Sequence, residues 1–113
     1  MSDIKPEPAI LDLVGELDMH HVPAVRAQLD PLVKAKVPRV LIGLGGVTYI
    51  DSSGLALFIE TLQQVQGYGG QLALFGLRAP VRHIFEIARL DQIFELFPDK
   101  SAALGSVEGS VES

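Results

Sequence analysis

Cysteine is absent from the chain, which removes disulfides, thiol nucleophiles and thiolate metal sites together and is compatible with a reducing cytoplasm. Basic residues are few and scattered: nine Lys and Arg stand against 14 Asp and Glu, for a net charge of −5. Without a basic cluster there is no electrostatic footprint for nucleic acid, and a partner with a basic surface would be steered in more readily than a phosphate backbone. No apolar run reaches the ~18–20 residues needed to cross a bilayer. The stretch Met1-Ser2-Asp3-Ile4-Lys5-Pro6 has no apolar core of signal-peptide length. The expectation is a soluble, cytoplasmic protein with no membrane insertion.

What is present fits one compact domain. With 113 residues, 48% of them hydrophobic and 20% charged, the chain can bury an ordinary core but not two. The stretch that organises it is Tyr49-Ile50-Asp51-Ser52-Ser53-Gly54-Leu55, where a buried apolar segment stops in three small polar residues and a helical pattern begins. Before it, Val40-Leu41-Ile42-Gly43-Leu44 reads as a strand buried on both faces, as in a parallel sheet. After it, Leu55, Phe58, Ile59 and Leu62 fall at i, i+3, i+4 and i+7, with Glu60, Thr61 and Gln63 expected on the surface. The first turn of that helix needs a side-chain oxygen for its unpaired N–H groups. Asp51, Ser52 and Ser53 all offer one, so the triplet reads either as a redundant N-cap or as a functional surface. Gly54, lacking a Cβ, would let another backbone approach closely.

Along the rest of the chain, residues 1–8 read as a lead-in or edge strand and Ala9–Gly15 as a largely buried strand closing at Gly15-Glu16-Leu17-Asp18. Pro23 opens a helix with Val22, Val25, Leu29, Leu32 and Val33 inward. Pro31 is expected to kink that helix or split it into two pieces. Gly43, Gly45 and Gly46 match no phosphate-binding pattern and are expected to turn the chain before Val47-Thr48-Tyr49-Ile50. The central helix ends at Gly67-Tyr68-Gly69-Gly70, and the strand Gln71–Gly76 follows. Pro80 opens a helix with Val81, Ile84, Phe85 and Ala88 inward and His83, Glu86 and Arg89 outward. A short strand over Ile93–Phe97 and an Asp99-capped turn or two through Leu104 complete the body. Tyr49 and Tyr68 are expected to pack their rings and expose their hydroxyls.

Alternating strands and helices imply an α/β layer joined by right-handed crossovers. Functional loops in such sheets gather beyond the carboxyl ends of the strands, so Asp18 and the corner from Asp51 to Gly54 should share one edge. Enzyme readings fare poorly there. Ser52 and Ser53 lack a Gly-x-Ser-x-Gly elbow, and no His stands in an obvious base position. His20 and His21 are adjacent rather than one helical turn apart, which speaks against a metal pair. Neither a cofactor nor a metal is expected. Asp18 is left with two readings, a brace for its loop or a partner contact.

The run Asp51-Ser52-Ser53-Gly54-Leu55, preceded by Val47-Thr48-Tyr49-Ile50 and further upstream by Gly15-Glu16-Leu17-Asp18, closely resembles the STAS domain of bacterial anti-sigma-factor antagonists. Gly69-Gly70-Gln71-Leu72-Ala73-Leu74 and Val81-Arg82-His83-Ile84-Phe85 continue the likeness, in the family's order, over about residues 8–105. The resemblance implies a single STAS-like α/β domain at residues 1–105, a mixed, mostly parallel sheet of four or five strands against about four helices, with a disordered tail at 106–113. It implies that the unphosphorylated protein binds an anti-sigma factor that is also a serine kinase of the GHKL type and frees the sigma factor. That kinase would phosphorylate Ser52, and a PP2C-type phosphatase would reverse it. Asp18, Asp51, Ser52, Ser53 and Gly54 would form the docking surface. The alternative is a STAS subunit of a membrane lipid-transport ABC system, or a scaffold component of a signalling assembly. Proteins of that transport kind often carry Thr or Ala in the serine pair, and two serines favour the switch.

Overall fold

The computed structural model describes residues 8–111, and side chains over 8–105. Residues 1–7 of the expected lead-in lie outside the described residues. In chain order the elements are β1 (Ala9–Leu17), α1 (Val22–Lys34), β2 (Arg39–Ile50), α2 (Ser52–Gly67), β3 (Gln71–Phe75), α3 (Ala79–Ile87), a 3₁₀ turn (Leu90–Gln92), β4 (Glu95–Phe97) and α4 (Lys100–Val111). The four strands form one sheet in the order β1-β2-β3-β4, every neighbouring pair parallel. Each crossover adds its strand on the same side of the last. Crossovers of one hand then put α1, α2 and α3 on a single face, over Leu13, Leu17, Val40, Ile42, Leu44, Leu72 and Leu74. The opposite face carries a smaller cluster of Leu41, Ala73 and Phe75 under Ala103 of α4.

Several elements depart from expectation, each for a physical reason. β2 runs unbroken through Gly43, Gly45 and Gly46, so these glycines make no turn. Their bare Cα atoms admit neighbours instead: a Cβ on Gly43 would collide with the Asp12 carboxylate and the Phe75 ring, and one on Gly46 would lie 2.6 Å from Val14 Cγ1. The β1–β2 register slips twice in this region, between Asp12 and Val14 and between Gly15 and Glu16. β1 extends to Leu17 and is mostly exposed rather than buried, because it is an edge strand of the described sheet. α1 is one continuous helix that retains Pro31 within it.

On α2 the inward stripe is Gly54, Leu57, Phe58, Thr61, Leu62 and Val65, while Leu55 and Ile59 are only half-buried. Thr61 is therefore inside, where its hydroxyl donates to the Leu57 carbonyl at 2.8 Å and avoids an unpaired buried oxygen. The hydroxyl of Tyr68 is likewise taken up, donating to the Val37 carbonyl at 2.6 Å. α3 stops before Ala88, which is exposed, and Arg89 follows with a left-handed φ of 62°. β4 is confined to Glu95–Phe97, since Ile93 is exposed and Phe94 turns inward against Phe85 at 5.9 Å between ring centroids. Asp99 caps the last helix as expected, accepting from the Ala102 N–H at 2.8 Å. That helix continues past Leu104 to Val111, taking in most of the stretch expected as a tail.

Candidate functional site

β1 and β2 end side by side, and one hydrogen bond ties the two segments beyond their ends together. The Asp51 N–H donates to the Leu17 carbonyl at 3.2 Å. The loop opened by Asp18 and the corner opened by Asp51 thus share the carboxyl edge of the sheet, as their positions after consecutive parallel strands require.

At the corner, Asp51 is the N-cap of α2. Its backbone is extended (φ −112°, ψ −171°), and its Oδ1 accepts from the N–H groups of Ser53 at 2.9 Å and Gly54 at 3.3 Å. Two of the four unpaired donors of the first turn are satisfied by this one carboxylate. The capping duty is discharged without either serine. Ser52, the first residue of the helix, is exposed, and Ser53 is half-buried. Ser52 therefore presents a hydroxyl that local structure does not use, next to a carboxylate that it does.

Gly54 admits the close backbone approach expected of it. It is buried, and a Cβ there would fall 2.7 Å from the Leu17 carbonyl oxygen and 2.8 Å from Ile50 Cγ1. The backbone that approaches Gly54 belongs to its own β1. The residue sets the distance between α2 and the end of β1.

Asp18 organises the second half of the edge. Its Oδ1 accepts from the N–H groups of His20 at 3.0 Å and His21 at 3.1 Å and lies 2.7 Å from His21 Nδ1. A carboxylate only accepts, so the ring contact requires the proton on Nδ1. The His21 ring hydrogen bond is the largest influence on the Asp18 carboxyl and holds its pKa below 3.8. Partial desolvation opposes it, and the His21 and His20 backbone groups assist it. Asp18 is therefore a brace for the loop, whatever else it contacts, and Met19 is left 66% exposed at the loop tip.

No local sequence pattern marks the approach of Glu16 to Asp18 and His21. Ligand atoms of the three residues lie within 4.8 Å of one another. Their donor types suit a divalent cation, but Asp18 Oδ1 is already shared by three hydrogen-bond contacts, and the set reads as a loop brace. His20 contributes its backbone alone to the described hydrogen bonds. Behind the edge, Arg26 of α1 and Glu60 of α2 pair at 2.7 Å across the two helices. No described helix is long and apolar enough to cross a membrane.

Comparison with known proteins agrees with this fold. The family model described as STAS domain matches residues 1–103. The anti-sigma-B factor antagonist of Bacillus subtilis is 33% identical over 86 residues, 76% of this chain and 78% of its own. Among solved structures, an anti-sigma factor antagonist from Mycobacterium paratuberculosis superposes with a TM-score of 0.83 at 25% identity, over 94% of this chain and 90% of that one. The Bacillus cell fate determinant SpoIIAA in its phosphorylated form shares the fold, with a TM-score of 0.70 at 22% identity over 92% and 94% of the two chains.

Proposed function

Because the chain belongs to the STAS domain family, we propose that it is an anti-sigma-factor antagonist whose grip on its partner is switched by phosphorylation of Ser52. The observation that carries the reading is the exposed Ser52 hydroxyl at the first position of α2, left free because Asp51 alone caps the helix. The unmodified edge, with Asp51, Ser52, Ser53 and the Asp18 loop, docks an anti-sigma factor that is itself a GHKL-type serine kinase. Docking frees the sigma factor. The protein acts by binding and is not an enzyme.

The switch follows from electrostatics. The γ-phosphoryl of ATP passes to Ser52 Oγ: a new O–P bond forms, the bond to the ADP leaving group breaks, and the hydroxyl proton leaves with a base of the kinase. The product carries about −1.5 to −2 charges at pH 7. Unpaired N–H groups and the positive end of the α2 dipole favour an anion at this position, so the fold tolerates it. A partner closed over the edge must desolvate that dianion beside Asp51, which costs affinity unless a new cation meets it. Folding is spared and binding is lost. A PP2C-type phosphatase restores the hydroxyl by hydrolysis.

The test is incubation with the cognate kinase and ATP, followed by site mapping and calorimetry against the anti-sigma factor. One phosphate on Ser52, binding retained in Ser52→Ala and weakened in Ser52→Asp support the reading. A phosphate on Ser53, or equal affinities for the two variants, would overturn it. Co-purification with a transporter ATPase and its permease in place of a kinase would favour the transport-subunit alternative.

A further inference from the structure

The two faces of the sheet are unequally covered. Three helices occupy one face, whereas the other has α4 alone, seated on β2, β3 and β4 through Ala103 with Phe97 and Leu104 alongside. The cluster on that second face, under α4, includes no described residue of β1. Strand alternation and register put Ile10, Asp12, Val14 and Glu16 of β1 and Tyr49 of β2 there, opposite the inward Leu13, Leu17 and Ile50. Three of these are apolar and open to solvent: Ile10 is 39%, Val14 77% and Tyr49 48% exposed. Gly46 lies beneath Val14 with no side chain of its own, which keeps the floor of the strip low beside the taller ridge of α4.

Charge identifies what would cover it. Asp12 and Glu16 alternate with the apolar residues, are exposed, and take part in none of the ion pairs among the described residues. A second copy of the chain would bring these carboxylates against their own equivalents, and anionic lipid or nucleic acid would meet the same repulsion. We propose that this strip is a docking surface for an amphipathic helix of a partner protein, apolar on the side that meets Ile10, Val14 and Tyr49 and bearing Lys or Arg toward Asp12 and Glu16. A helix suits the slot because α4 already defines a helical layer on this face, and the strip is the vacant berth next to it. At its Glu16 end the strip reaches the Asp18 loop, while Ile10, Asp12 and Val14 extend away from that edge along β1.

The test is an NMR titration of the full chain with a synthetic Leu/Lys peptide of about 14 residues patterned at helical spacing, ~20 Å long. The expected result is shift changes centred on Ile10–Glu16 and Tyr49, with affinity reduced about tenfold or more in Val14→Ser and in the double variant Asp12→Lys with Glu16→Lys. All three substitutions are at exposed positions, and a matched thermal melt confirms that both variants fold. Changes centred on Ile87 or Ile93 instead, undiminished affinity in the variants, or equal binding of a Leu/Glu peptide would overturn the proposal. So would a dimer burying Val14, or contacts from residues 1–7 onto Val14 in the free chain.

Discussion

Gly54→Ala asks whether the corner is held by backbone contact. The added methyl would sit 2.7 Å from the Leu17 carbonyl oxygen, 2.8 Å from Ile50 Cγ1 and 3.1 Å from Leu17 Cβ. The isoleucine end can shift, but the carbonyl cannot shift cheaply, because it accepts the Asp51 N–H that joins the two loops. Overpacking of this kind costs roughly 1–3 kcal/mol. Replacing a helical glycine with alanine returns about 1 kcal/mol. The net loss is then about 1 kcal/mol, toward 2 if the carbonyl holds its place, or roughly 5–10 °C in Tm for a domain of this size. Gly67→Ala is the control, at the end of the same helix with nothing within 4 Å of its added Cβ. It should gain a few tenths of a kcal/mol. Urea unfolding with unchanged m-values reads both. If Gly54→Ala were instead more stable than the parent, as Gly67→Ala should be, the close approach of α2 to β1 would be wrong.

Asp51→Ala removes the acceptor for two N–H groups and should lose about 1 kcal/mol in the same assay, a loss that Ser52→Ala does not share. Phe58→Ala empties a fully buried site on α2 and should cost about 3–5 kcal/mol; a loss below 1 would refute its burial. Asp18 makes an acid-side prediction. Its folded pKa lies below the ordinary 3.8, so its contribution is present above that value and disappears as pH falls through the folded pKa. The urea midpoint of the parent should exceed that of Asp18→Asn at pH 6, and the gap should close toward pH 2. A gap that persists in acid would show that the His21 contact does not favour the carboxylate.

How much of the fold and the site was legible in the residues depends on how far apart the interacting groups are in sequence. The strand at Val40–Leu44, a polar cap within Asp51–Ser53, the C-terminal glycines of α2 and the Asp99 cap are local features, and each is found as read. The mistakes involve partners that no local pattern contains. Gly43 and Gly46 resemble turn glycines until Asp12, Val14 and Phe75 arrive from neighbouring strands and require bare Cα atoms within a continuous strand. Thr61 resembles a surface residue until the α2 stripe, pinned by Gly54 against Leu17, rotates to include it. The same distinction holds at the edge. That one of three polar residues must cap α2 was readable, but that Asp51 does so alone depends on bonds to Ser53 and Gly54 that three equivalent candidates cannot decide. The free hydroxyl of Ser52 is therefore a consequence of the fold. A change that moved the cap from Asp51 to Ser52 would engage that oxygen with backbone N–H groups and make it a poorer acceptor of phosphate, with no change in its position along the chain.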